Sequence, residues 1–300
     1  MRFFTADVFT ERMFGGNQLA VFPEAEELET RVLQAIAREL NLSETVFVFP
    51  PGNPAHTRRL RIFTPATELP FAGHPTVGTA FVLASIGEIP FDGGAASIIF
   101  EEGVGPVPVS IRAQDGRPGY CELTAAQLPE EGPAPPPLEE IAAALSLRPE
   151  DLRTDPSPPR ALSCGVRYLF VPVRDEKTLG RARINPGGWE RSLSSWWTSS
   201  VFPFAFNGGR NGVDVRARMF APALGVPEDP ATGSACAALA GFLAPVGAPE
   251  SGTLRWVVEQ GVEMGRPSRL HVSCDRERGR ISAVRVGGSS VLVSEGRLAL

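Results

Sequence analysis

Apolar residues change their spacing several times along the chain, and each change marks an element. Arg2-Phe3-Phe4-Thr5-Ala6-Asp7-Val8-Phe9 has the aromatic and β-branched content of a strand. Gly15-Gly16-Asn17-Gln18 reads as a turn before a second short strand, Leu19-Ala20-Val21-Phe22. Over 27–40 the apolar positions Leu28, Val32, Leu33, Ile36 and Leu40 follow a helical period starting just after Glu27. Thr45-Val46-Phe47-Val48-Phe49 and Leu60-Arg61-Ile62-Phe63 are strands, the second ended by Thr64-Pro65. Helices are predicted over 76–83, 138–145 and, very apolar, 235–243. Residues 166–173 read as a strand, and 281–286 and 290–293 as two closing strands. The Pro-dense stretch 129–137 is the best candidate for a linker between two halves.

Beneath this pattern lies an internal repeat. Arg61-Ile62-Phe63-Thr64-Pro65-Ala66 recurs as Arg218-Met219-Phe220-Ala221-Pro222-Ala223. His74-Pro75-Thr76-Val77-Gly78-Thr79-Ala80 recurs as Asp229-Pro230-Ala231-Thr232-Gly233-Ser234-Ala235. Two ordered motifs, half a chain apart at nearly one offset, point to duplication of one unit: strand, Pro turn, loop, helix. In this alignment Gly78 matches Gly233, and the second copy has a loop two residues shorter.

Each copy places Pro near a helix start, where its missing N–H costs nothing, and small residues beside it. Such a turn exposes backbone N–H groups at the positive end of the helix dipole, a setting for a carboxylate or phosphate. Both helices stay apolar on nearly every face, so both belong inside their domains. The duplication lets them aim their N-termini at one shared cleft. His74 and Asp229 then hold matched places and could bind a ligand or move protons; taken singly, the first also reads as a turn residue and the second as a helix cap. Glu44 stands at the mouth of a wholly apolar strand, where a raised pKa would suit a general base near neutral pH. Glu68 is a rival base, read here as a loop or cap residue.

Composition narrows the field. With 43% hydrophobic and 21% charged residues, the 300-residue chain resembles an ordinary globular protein, long enough for one large domain or two medium ones. Net charge is -5 with no basic block, so nucleic acid is a poor partner. No apolar run is long enough for a membrane helix, and an acidic residue at position 7 spoils a signal peptide; a cytoplasmic protein is expected. Lys177 is the only lysine and sits in a charged turn, which disfavours Schiff-base and Walker-type chemistry. Cys121, Cys164, Cys236 and Cys274 are scattered, without metal-binding spacing.

Four groups of residues resemble the PhzF-like (phenazine biosynthesis) family. They are Asp7-Val8-Phe9-Thr10 with Phe14-Gly15-Gly16-Asn17; Leu42-Ser43-Glu44-Thr45-Val46-Phe47; Arg61 to Pro65 with Glu68-Leu69-Pro70-Phe71-Ala72-Gly73-His74-Pro75-Thr76; and Glu228-Asp229-Pro230-Ala231-Thr232-Gly233-Ser234-Ala235. The resemblance implies an α+β, diaminopimelate epimerase-like fold: two pseudo-symmetric domains, each a β-barrel-like sheet around a central apolar helix. The halves would comprise 1–118 plus 285–300, and 119–284. It further implies an isomerase with no metal or organic cofactor, acting on a small anionic, amino acid-like substrate, cyclic in the best-understood activity, in the cleft between domains. The family's catalytic Glu, His and Asp fall on Glu44, His74 and Asp229. Its substrate-binding positions fall on Gly73, Gly233 and Ser234, with Asn17 and Thr76 in the same motifs. A homodimer is compatible with the family. Related racemases use a thiol from each half, but both helix-start turns here lack Cys, so a single Glu acting as base and then acid is preferred over a thiol-dependent epimerase. A non-catalytic metabolite-binding protein using the same cleft is the other alternative.

Overall fold

The computed structural model describes residues 1–299 except 26–27, 92–93, 156 and 245–248. The elements of the first half are β1 (Arg2–Val8), β2 (Asn17–Phe22), α1 (Thr30–Leu40), β3 (Glu44–Phe49), β4 (Arg58–Phe63), β5 (Glu68–Leu69), α2 (Gly73–Ser85), β6 (Ala95–Glu102), β7 (Gly105–Gln114) and β8 (Arg117–Thr124). Those that follow are β9 (Glu130–Glu131), α3 (Leu138–Ala144), β10 (Arg160–Ser163), β11 (Arg167–Pro172), α4 (Glu176–Arg181), α5 (Pro186–Ser192), β12 (Val201–Phe206), β13 (Val215–Ala217), β14 (Met219–Ala221), β15 (Val226–Asp229), α6 (Gly233–Leu243), β16 (Gly252–Gln260), β17 (Ser268–Glu277) and β18 (Arg280–Arg297).

The pairing order shows the duplication directly. From β1, neighbours run antiparallel to β2, parallel to β3, antiparallel to β4, parallel to β6, then antiparallel to β7 and β8. From β10 the same succession leads through β11, β12, β13, β16 and β17 to β18. The first ring closes because β18 pairs with β8 over 285–289 and with β1 over 290–297, giving an eight-stranded barrel. In the second, β9 takes the equivalent place beside β10, and among the described residues no ladder joins β9 to β18. Each barrel encloses one helix. Every residue of α2 from Gly73 to Ala84 is buried, as is most of α6, which explains why both are apolar all round. The amphipathic α1 packs outside, laying Leu33, Ile36 and Ala37 on Phe22, Phe47 and Phe63. The fold is therefore the α+β, diaminopimelate epimerase-like one expected.

Several boundaries differ from the sequence reading. The outer helix begins at Thr30, and Glu27 lies outside the described residues. The two closing strands are one, β18, which runs from the second barrel into the first. Gly287 and Gly288 look like a break but are a close crossing: a Cβ on Gly287 would lie 2.7 Å from Tyr120 Oη, and one on Gly288 2.6 Å from Phe9 Cδ1. Residues 129–137 include β9 and pack over the far end of α6, with Pro129 against Gly241; they are part of the second barrel rather than a free linker.

The register of the repeat also differs. Arg61 pairs with Glu68 at 2.6 Å across the β4–β5 hairpin, and Arg218 with Glu228 at 2.8 Å across β14–β15. Each guanidinium also lies over the Phe two positions on, Phe63 at 5.1 Å and Phe220 at 4.9 Å. Counting from these pairs, Gly73 matches Gly233 as the first helical residue of its copy. The second loop is thus three residues longer, not two shorter. His74 is the counterpart of Ser234, and the Gly78–Gly233 alignment is a coincidence of common turn residues.

Candidate active site

The two internal helices meet tip to tip. A Cβ on Gly73 would stand 2.6 Å from Gly233 Cα and 2.7 Å from Ser234 N; one on Gly233 would stand 3.0 Å from Gly73 Cα. Only glycine lets two backbones approach this closely. The first turns of both helices, whose N–H groups have no partner within their own helix, are brought to one place. Gly78 is not there. It lies in the second turn of α2, where a Cβ would strike Leu19 and Val8 at 2.5 Å, so it serves packing. Pro75 occupies the third helical position, still free of any N–H requirement.

Around the tips lies a polar cluster drawn from both halves. Asn17, the first residue of β2, is fully buried. Its Nδ2 is 2.7 Å from Asp229 Oδ1, 2.9 Å from the Ala231 carbonyl and 3.0 Å from His74 Nδ1. The amide has two hydrogens for these three contacts, and the first two partners only accept, which fixes the amide orientation. His74 Nε2 lies 3.3 Å from Glu44 Oε2. Neither of these two atoms makes an aligned hydrogen bond to protein. Burial pushes the His74 pKa down to about 3, so the ring is neutral. Burial, with Asp229 nearby as a second cause, pushes Glu44 well above the carboxylate range. Burial raises Asp229 to about 6, against hydrogen bonds from Thr232, Asn17 and Ser43 that pull it down.

Asp229 closes β15 and is no helix cap. Its Oδ2 accepts from Thr232 Oγ1 at 2.6 Å. Gln260 on β16 holds the loop that follows: its Nε2 donates to the Asp229 carbonyl at 2.7 Å, and its Oε1 accepts from Thr232 N at 3.1 Å. Ser234 Oγ lies 2.8 Å from the buried Tyr168 hydroxyl on β11.

The structure therefore brings together Asn17, Glu44, Gly73, His74, Asp229, Gly233 and Ser234. Thr76 is set apart, because its hydroxyl is engaged by Ala72 O at 2.7 Å and Glu102 Oε1 at 2.6 Å. Glu68 is in the surface pair with Arg61. Tyr168, Gln260 and Thr232 escaped the sequence reading; Thr232 stood inside a quoted motif, whereas the other two come from strands with no local signal. The four thiols are buried, and burial with the Asp229 charge keeps Cys236, in the first turn of α6, protonated.

The cluster is mostly buried, with His74 2%, Asp229 4% and Glu44 9% exposed. Two surface hollows lie elsewhere: one of about 850 Å³ around Tyr120, Trp256 and His271 on β8, β16 and β17, and one of about 530 Å³ between the 9–12 loop and Glu259, Arg269 and His271.

A helix tip from each of two like barrels, meeting at buried carboxylates and an imidazole, defines a protein of the pseudo-symmetric isomerase and epimerase class. The model of the phenazine biosynthesis-like protein family matches residues 6–296, and the chain belongs to that family. It is 40% identical to an uncharacterized isomerase of Mesorhizobium japonicum, over 97% of this chain and 96% of the relative. It is 36% identical to trans-2,3-dihydro-3-hydroxyanthranilate isomerase of Pseudomonas aeruginosa, over 99% and 98%. The crystal structure of a Bacillus anthracis phenazine biosynthesis protein of the PhzF family superposes with a TM-score of 0.88 at 25% identity, covering 100% of this chain and 99% of that one. The protein is an isomerase. Among the described residues no helix is long and apolar enough to cross a membrane.

Proposed function

We propose that the chain isomerises a small carboxylate-bearing, amino acid-like substrate without a cofactor, with Glu44 as the base that removes a proton and the acid that returns it. One observation carries this reading: Glu44 is a desolvated carboxyl with an unpartnered oxygen beside two helix tips. A carboxyl in that setting binds a proton near neutral pH and can move it in either direction.

The other groups have complementary parts. N–H groups of the first turns of α2 and α6, with the Ser234 hydroxyl, suit the substrate carboxylate, since the positive ends of both dipoles converge there. In the tautomer that carries its proton on Nε2, neutral His74 offers that N–H to charge that develops as the C–H bond breaks. Asp229, with both oxygens already hydrogen-bonded, fixes Asn17 and through it the ring of His74, and gives a substrate ammonium a negative neighbour. The compound in the names of the Pseudomonas relatives is an amino acid of this kind and the first substrate to test. A thiol-dependent route is disfavoured by buried, protonated cysteines.

The test is steady-state turnover of that compound by wild type and Glu44→Gln, together with binding of anthranilate as a carboxylate probe. The variant is expected to bind the probe and lose turnover; a wild-type rate would remove Glu44 from the mechanism.

A further inference from the structure

We infer that Glu102 is a positioning residue, protonated in the working enzyme, that holds the tip of α2 against Gly233 through Thr76. The argument is one of counting hydrogens. Thr76 Oγ1 makes two short contacts, 2.7 Å to Ala72 O and 2.6 Å to Glu102 Oε1. Two hydrogen bonds need two hydrogens, and the hydroxyl has one. The Ala72 carbonyl can only accept, so the hydroxyl hydrogen goes there. The second hydrogen then belongs to Glu102, whose carboxylic acid O–H donates to Thr76 Oγ1. The other oxygen, Oε2, is buried with no partner, which a neutral carbonyl tolerates far better than half of a carboxylate charge.

Burial, partly opposed by Thr76, moves Glu102 in the same direction, up to about 8. Among the described residues, burial and the Thr76 contact are the causes that act on it, with no charged partner beside them. α2 contributes Thr76 and, two positions back, a neutral His74. The turn at Gly103 rests on Pro70. On the adjoining strands, Glu101 is taken up by Gly52, Asn53 and His56, and Arg59 lies over Phe49 at 4.7 Å.

The chain of contacts ends at the site. Ala72 immediately precedes Gly73, the residue whose backbone touches Gly233, and His74 follows. With Glu102 protonated, Thr76 ties down the carbonyl that opens the helix. Once Glu102 ionises, the hydroxyl must turn its hydrogen to the carboxylate, and Ala72 O keeps only the longer 3.3 Å bond from Thr76 N. The inference rests on reading the α2 tip as part of the isomerase site, and it predicts an alkaline limit to turnover set by a residue that never meets substrate.

Two measurements separate its failure from failure of that reading. First, infrared spectra of the Glu44→Gln protein, which lacks the acid of residue 44, are recorded from pH 7 to pH 10. A protonated carboxylic acid band present at pH 7, lost around pH 8 and missing when Glu102→Gln is added supports the assignment; no such band at pH 7 overturns it, whatever the substrate. Second, kcat is followed against pH on a wild-type Glu44 background. The native enzyme is expected to lose about tenfold from pH 7 to pH 9, as a group titrating near 8 dictates. Glu102→Gln, whose amide donates to Thr76 at every pH, should stay flat over that range. Identical alkaline limbs in the two proteins overturn the positioning role.

Discussion

The two copies of the strand–hairpin–helix unit share a frame and differ in what surrounds it. Both carry an Arg–Glu pair, a Phe under the guanidinium and a glycine at the helix start. In the first copy the pair lies on the surface, and the helix tip carries His74 beside Glu44. In the second, Arg218 is 2% exposed and also donates to the carbonyls of Leu179 and Ala182; its tip offers Ser234 backed by Tyr168. The frame is thus common property, while an imidazole stands beside Glu44 at one tip and a hydroxyl backed by Tyr168 at the other. Two tips alone would make an anion site; the asymmetry around them is what the proposed proton transfer requires.

The largest expected effect breaks the chemistry on the first copy. Glu44→Gln should lower kcat by about 10³-fold, within the range for loss of a general acid–base, while thermal unfolding changes little. Next come stability losses that compare the copies directly. Arg218→Met strands a largely buried Glu228 and should destabilise by about 3 kcal/mol, whereas Arg61→Met frees a half-exposed Glu68 and should cost less than about 1 kcal/mol. Urea unfolding of both variants measures the difference, and equal losses would show that the copies are energetically alike. Between the glycines, Gly73→Ala meets backbone at 2.6 Å and Gly233→Ala at 3.0 Å, so the first should lose more stability and more turnover.

A smaller effect sharpens the role of the second copy. Tyr168→Phe removes one buried hydroxyl and should lower kcat about five- to tenfold, the worth of one hydrogen bond. Combined with Ser234→Ala the losses should not add, because both variants remove the same contact.

Stability against pH gives the subtlest contrast. His74 is held neutral down to about pH 3, so between there and its ordinary value of 6.5 the unfolded chain binds the extra proton. Its contribution rises with pH through that window and is complete above it. Glu102 keeps its proton up to about 8 rather than 4.5, so between those values the native state binds the extra proton and stability falls as pH rises. Glu102→Gln removes that slope. Relative to wild type its stability should grow from about pH 5 to pH 8 and then level off, by on the order of a few kcal/mol.

Much of this was legible in the sequence, for physical reasons. The buried helices announced themselves by being apolar on every face, and Glu44 by interrupting apolar sequence at a strand mouth. His74 and Asp229 stood beside the prolines of a repeated motif. What failed was register: Pro and Gly recur at helix starts everywhere, so matching them slid one copy five residues along the other, and only the Arg61–Glu68 and Arg218–Glu228 hairpins reveal the true correspondence. The closing strand β18 was read as two, 281–286 and 290–293, because the glycines between them at a close backbone crossing are also what a turn asks for. Tyr168, Gln260 and Glu102 lie on separate strands, and nothing local distinguishes them; their roles exist only once the barrels close.

The central claim is that residue 44 carries the proton, and solvent isotope tests it most directly. In D₂O the wild-type enzyme should place deuterium at the carbon that receives the returned proton of trans-2,3-dihydro-3-hydroxyanthranilate, and Glu44→Gln should place none during the same incubation. Deuterium entering at equal rates in both proteins would contradict the account.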